Sequence, residues 1–274
     1  RFNIFLIIPC YTLSMKGMEI NINCDLGEKS ELHSIENDPE LLKIVNSASI
    51  ACGYHAGDDE TMHSTIKISK KNGVSIGAHP SFKDPENFGR KRINLPEKEI
   101  IKLIVDQYNL LQNIADLHGE KVTHIKPHGA LNNMACENLE LANIIAKAIV
   151  NIDKDLIYLV PTGSKMEVAA KKLNMKIACE IFADRNYEDD GNLVSRSKKQ
   201  ALIIDPEIAK KHVLDMVKNQ AINCLSGKKI PCEIDSICIH GDNQYSLNTA
   251  KLIRHTLISN DFILKPLNNM KKFN

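Results

Sequence analysis

The sequence predicts an α/β fold, a closed β/α barrel, on three observations. Short runs rich in apolar and β-branched residues alternate with amphipathic helical stretches, the pattern of a parallel sheet covered by helices. Seven or eight such runs fit a closed barrel better than an open doubly wound sheet. Five of them end in a knot of His, Asp, Lys and Gly, and barrels keep their chemistry at the carboxyl ends of their strands. The length of 274 residues suits one such domain, which commonly takes about 250 residues.

The strands are expected, in order, at 19–24, 49–53, 74–78, 122–126, 156–160, 177–181, 236–240 and, weakly, 262–264. Between them, a helix over 61–72 has Asp58 and Asp59 as capping candidates and Gly73 after its last turn. Pro96 opens a long helix closed by Gly119, with Ile100, Leu103, Ile104, Leu110, Leu111 and Ile114 on one face. Further helices are expected at 140–150 and 165–173. Asp205 and Pro206 supply the N-cap and first position of another that runs to Asn219. The last helix is 246–259, and a small hairpin is expected at 221–224 and 230–233 around Ser226-Gly227.

Residues 1–17 do not resemble the remainder of the chain. Their apolar stretch is broken by Pro9 and lacks a small-residue cleavage site, so they read as a leader upstream of a natural start at Met18 (or Met15). Residues 18–274 carry no internal repeat, linker or composition shift, and are expected to form a single domain. Thirty-five basic and 34 acidic residues leave a formal charge of +1, with no basic patch to suggest nucleic acid. No segment approaches the roughly 18 apolar residues of a membrane span. Eight cysteines without a CxxC pair read as reduced thiols of a cytoplasmic protein.

The knots are NCDLGE at 23–28, CGYHAGD at 52–58, GAHPS at 77–81, KPHGAL at 126–131 and HGD at 240–242. Strand alternation puts His124, Lys126 and His128 on one face. A lysine facing a barrel interior requires anionic partners, either as a Lys–Asp pair that rigidifies the barrel or as a cation that stabilises a phosphoryl group or oxyanion. Asp25 and Asp58 are each a potential base or ligand and equally a turn or helix cap. His55, His79, His240 and Asp242 converge with them if the strands do. In the segment 180–196, Asp184 and Arg185 either pair together or reach the site, where a guanidinium grips carboxylate or phosphate. Neither a P-loop nor a local metal motif is present, although distant strands can still assemble a divalent-metal site.

Those motifs, with FGR at 88–90 and FADRNYEDDGNLVSR at 182–196, make the chain resemble the LamB/YcsF family from about residue 19 to 266. Tyr54, Asp59, Asn132, Ser49 and Asn87 depart from the family's usual residues, and no titratable group is lost. The resemblance implies an irregular, seven-stranded barrel related to glycoside hydrolases and deacetylases. It also implies an ATP-dependent 5-oxoprolinase: 5-oxo-L-proline, ATP and water give L-glutamate, ADP and phosphate, with partner subunits B and C. On that reading Asp25 or His55 is the base, Lys126 stabilises the phosphoryl group or oxyanion, and His128 protonates the departing ring nitrogen. Asp58, His79, Arg90, Asp184, Arg185, His240 and Asp242 contact substrate or nucleotide. The competing expectations are a metal-dependent amide or carbohydrate deacetylase on the same barrel and a non-catalytic substrate-binding subunit.

Overall fold

A computed structural model describes residues 17–31, 33–240 and 245–274. The predicted leader, apart from Gly17, and the predicted contact residue Asp242 lie outside the described residues. Seven parallel strands close into a barrel: β1 (Glu19–Leu26), β2 (Ser47–Ala51), β3 (Ser75–His79), β4 (Val122–Ile125), β5 (Ile157–Pro161), β6 (Lys176–Phe182) and β9 (Ser236–Cys238). Strand β9 closes it by pairing with both β6 and β1. A short β10 (Ile263–Leu264) pairs with the start of β1, and β7 (Ala221–Asn223) with β8 (Lys229–Pro231) forms the expected hairpin.

The helices outside the barrel follow their sequence signals. In α2 (Asp59–Asn72) the Asp58 carboxylate accepts from the Thr61 backbone N–H, and Gly73 ends the helix in the left-handed conformation. In α3 (Glu97–Leu117) Ile100, Leu103, Ile104, Leu111 and Ile114 are buried as their spacing requires. Asn138, Ser164 and Asp205 cap α5 (Leu139–Ile152), α6 (Lys165–Lys172) and α7 (Pro206–Asn219), and α8 (Ser246–Ser259) is the last. Two helices were not expected: the single turn α1 (Asp38–Leu41) and α4 (Gly129–Glu137). The second is preceded by His128, which makes no side-chain cap, so the usual start signal is missing. Among the described residues no helix is long and apolar enough to cross a membrane, and the seven described cysteines are free.

The outward faces of the strands bury Ile20, Ile22, Leu26, Ile50 and Ile76 against this helical layer. At about 1.5–3 kcal/mol for each such side chain, that layer supplies the main favourable term for folding. The inward faces are of another kind, and they make the site.

Candidate active site

Strand β1 alternates Ile20, Ile22 and Cys24 outward with Asn21, Asn23 and Asp25 inward. Inside the barrel, Asn21 Nδ2 donates to Ser47 Oγ at 2.9 Å, and Ser236 Oγ donates to Asn21 Oδ1 at 2.7 Å. Asn23 Nδ2 donates to Ser236 Oγ at 2.8 Å and to Glu180 Oε2 at 3.3 Å. Barrel interiors are usually filled by layers of Val, Ile and Leu. Here the filling is polar: Asn21, Asn23, Ser47 and Ser236 satisfy one another as burial demands, while Ser49 Oγ, His124 Nε2 and Glu180 Oε1 have no hydrogen-bond partner among the described residues.

This network rises to Lys126, which follows β4. Its Nζ donates to Asp25 Oδ1 at 2.9 Å, Asp25 Oδ2 at 3.2 Å and Asn23 Oδ1 at 3.3 Å, and lies 3.1 Å from Glu180 Oε2. Burial works against the ammonium, but Asp25 and then Cys238 and Glu180 hold its pKa well above the usual lysine range. Burial likewise pushes Asp25 up, and the charges of His79 and Lys126 reverse that and hold it at about 2. Burial raises the pKa of Glu180. Lys126 and Asp25 are therefore a buried ion pair at neutral pH, the first of the two arrangements the sequence allowed.

Beside the pair stand three imidazoles and a carboxylate. His79 Nδ1 donates to the Lys126 carbonyl at 2.7 Å, and His128 Nε2 donates to the Phe88 carbonyl at 2.9 Å. The remaining nitrogens, His79 Nε2 and His128 Nδ1, lie 3.0 Å apart. Glu28 Oε1 is 3.1 Å from His128 Nδ1, 3.0 Å from His55 Nε2 and 3.7 Å from His79 Nε2. The His55 and His128 rings stack at 3.8 Å. Burial pushes His79 down to about 3, and burial with the repulsion of His128 pushes His55 down to about 4. Burial opposes ionisation of Glu28, yet the facing imidazoles of His128 and His55 keep its pKa well below the usual carboxylate range. Glycine makes this crowding feasible. At Gly89 (φ +64°) a Cβ would sit 2.9 Å from His55 Cβ and 3.0 Å from His128 Cδ2.

A cavity of about 570 Å³ opens above both groups, lined by Asp25, Glu28, His79, Lys126, His128 and His240 among others. His240 follows β9, with Nδ1 2.9 Å from both oxygens of Asp184 and Nε2 4.0 Å from Asp25 Oδ2. Burial acts to raise the pKa of Asp184, and His240 brings it below the usual range. A carboxylate that orients an imidazole at the wall of a cavity is an arrangement suited to acid–base chemistry.

Of the sequence-derived site residues, Asp25, His79, Arg90, Lys126, His128, Arg185 and His240 line this cavity. Asp184 adjoins it through His240. Asp184 and Arg185 do not form the pair that was one of the two expectations, since Arg185 instead donates to the Val194 and Ala201 carbonyls. His55 is fully buried, contacts Glu28 and is not among the residues that line the cavity. Asp58 is exposed, caps α2 and pairs with Lys29, which is the capping alternative. Sequence reasoning missed Glu28 and Glu180. Glu28 closes the NCDLGE knot, and Glu180 is a lone acid inside the apolar run KIACEIF, a signal that was there to be used.

Among the described residues three sets of side chains could ligate a cation: Glu28 with His55, His79 and His128; Asp25 with Cys238 and His240; and Cys179 with Glu233 and Asp235, the donor atoms of each set lying within 4.8 Å of one another. The LamB/YcsF family profile matches residues 20–272. A protein of Rhodopseudomonas palustris, named as the A subunit of 5-oxoprolinase, is 43% identical over 91% of this chain and 98% of its own length. The crystal structure of a lactam utilization protein from Thermus thermophilus superposes with a TM-score of 0.84 at 31% identity, over 90% of this chain and 99% of that one. A structure titled T48 deacetylase with substrate matches at a TM-score of 0.51 and 12% identity over 94% of this chain and 91% of that one, a likeness of fold alone.

Proposed function

Because the chain belongs to the LamB/YcsF family, we propose that it is the A subunit of a 5-oxoprolinase, a hydrolase assembled with partner subunits B and C. Its cavity would take the lactam, and the assembled enzyme would couple ring opening to cleavage of ATP to ADP and phosphate. The observation that carries the reading is the convergence of Asp25, Lys126, His79, His128 and His240, from four separate strand ends, on one cavity. That cavity belongs to a chain whose 43% identical relative bears the 5-oxoprolinase name.

A five-membered lactam is a resonance-stabilised amide and resists water. Transfer of the ATP γ-phosphoryl group to its carbonyl oxygen makes the ring carbon electrophilic. A first water adds to that carbon, and the C–N bond breaks as the ring nitrogen takes a proton, leaving an acyl phosphate. A second water releases phosphate and glutamate. In the cavity, His240 held by Asp184 is positioned to take the proton of the attacking water, with Asp25 nearby. Lys126 has its donors committed to Asp25, Asn23 and Glu180, so its positive charge would act on the developing oxyanion through the field of the cavity floor. His128, with Nε2–H held by Phe88, forms cavity wall beside the departing nitrogen. Arg90 and Arg185 line the same space and supply the positive potential that a substrate carboxylate or phosphate needs.

The test is 5-oxoproline-dependent release of phosphate and glutamate by this chain reconstituted with its partner subunits. Turnover should require all components and fall steeply in His240→Gln. Release that continues at the same rate when this chain is left out would refute the assignment.

A further inference from the structure

We propose that Glu28, His79 and His128 form a binding site for one divalent transition-metal ion, with His55 as the residue that positions the carboxylate. The partners of the ring nitrogens fix which of them carry hydrogen. A backbone carbonyl only accepts, so the contact of His79 Nδ1 with the Lys126 carbonyl at 2.7 Å fixes the proton on Nδ1. The contact of His128 Nε2 with the Phe88 carbonyl at 2.9 Å fixes that ring's proton on Nε2. In the neutral rings, His79 Nε2 and His128 Nδ1 therefore point bare lone pairs at each other across 3.0 Å. Glu28 Oε1, a third acceptor, is 3.1 Å from one and 3.7 Å from the other.

Three acceptors turned on one point repel unless a cation lies among them. A single proton relieves one contact at a time, whereas a dication at the centre relieves all of them together. The separations agree with an ion. Ligands about 2.0–2.1 Å from a tetrahedral centre stand roughly 3.3 Å apart, and the three observed separations of 3.0, 3.1 and 3.7 Å bracket that edge. Two imidazoles and one carboxylate are a donor set for zinc and its first-row neighbours. The carbonyls behind His79 and His128 are the outer partners that fix the orientation of metal-bound histidines. His55 Nε2 donates to the Glu28 oxygen at 3.0 Å, and stacking on His128 holds its ring in place. The three ligands line the cavity, so an ion can enter and a coordination position stays open on that side. Asp25 Oδ2, 3.5 Å from His79 Nε2, adds negative charge at the same place.

This inference does not depend on the identity of the substrate, and its test reads no turnover. The full chain, stripped with a chelator and dialysed, is titrated with Co²⁺ and, by calorimetry, with Zn²⁺. One equivalent should bind, with the intense visible absorption of low-coordinate cobalt. The equivalent should be lost in Glu28→Gln and His79→Gln and bind about 10- to 100-fold more weakly in His55→Phe. It should persist in His118→Gln, which removes the surface His63–His118 pair as a source of the signal. Should a site variant fail to fold by circular dichroism, X-ray absorption of the zinc-loaded wild type decides. Two imidazoles with oxygen ligands support the site, and a sulfur ligand, which would point to Cys238 or Cys179, overturns it. The absence of a bound equivalent in the wild type, its persistence in both ligand variants or its loss in His118→Gln also overturns it.

Discussion

Replacing Lys126 with methionine keeps most of the apolar stem of the side chain and removes the ammonium with its charge and hydrogen-bond donors. The consequence follows from what the ammonium faces. Asp25 lies at 2.9 Å and Glu180 at 3.1 Å, both essentially out of reach of solvent. Removing one partner of a buried ion pair typically costs about 3–5 kcal/mol, because the carboxylates left behind are neither hydrated nor paired. Two acids share this cation, so the upper half of that range is expected, a large part of a total stability on the order of 5–15 kcal/mol. The assay is equilibrium unfolding in urea between pH 4 and 8. In the variant the two carboxyls have folded pKa values above their unfolded ones. Their neutral forms are thus tolerated at low pH, and stability is lost as pH rises through the folded values. The deficit against wild type should accordingly be largest at pH 8 and narrow towards pH 4. Adding Glu180→Gln to the variant should recover part of it. A Lys126→Met protein within about 1 kcal/mol of wild type at pH 8 would refute the reasoning.

Other outcomes follow from neighbouring features. Asp184→Asn leaves His240 without its orienting carboxylate and should lower kcat of the reconstituted enzyme about 100-fold or more with a smaller change in KM. Gly89→Ala strains a residue at φ +64° and drives a methyl into His55 and His128, so thermal unfolding should show a loss of about 1–3 kcal/mol. Burial pushes the Asp38 carboxyl up to about 7, although it accepts from the Gly27 N–H at 2.8 Å. Because that folded value exceeds the unfolded one, the contribution of Asp38 is full below about pH 4 and is lost as pH rises towards 7 and beyond. Asp38→Asn, which keeps an acceptor for Gly27, should match wild type near pH 4 and exceed it at pH 8 by on the order of 1 kcal/mol. Parallel unfolding curves at the two pH values check this.

The seven strands of the barrel and the β10 annex were legible because their apolar runs are short and bounded by glycine, proline or charge. Periodicity could not set their ends, so β2 starts at Ser47 rather than at 49 and β6 extends through Phe182. The helix α4 escaped because His128 offers no cap and the residues before it read as strand. For the site, the residues concentrated at strand ends were legible as a group. Their pairings were not, since these depend on three-dimensional neighbours. Asp184 is adjacent to Arg185 in sequence yet binds His240, and Lys126 after β4 meets Glu180 of β6 only across the barrel interior. Glu180 stands out as a lone acid in an apolar run, but its partner across the barrel could not be read from the sequence.

The hydrogen-bonded filling of the barrel also governs how its strands can align. A slip of one residue in β1 would turn Ile20, Ile22 and Cys24 inward and send Asn21, Asn23 and Asp25 out against the helices. In an oily barrel such a slip exchanges one aliphatic side chain for another at modest cost. Here it would strand several amides and a carboxylate in an apolar layer and take from Ser47, Ser236 and Lys126 their partners on β1. The interior thus acts as a key for strand alignment, so that a misaligned barrel is penalised many times over. Because Asp25 ends the same inward row, whatever locks the alignment of β1 also sets the height at which its carboxylate meets the cavity.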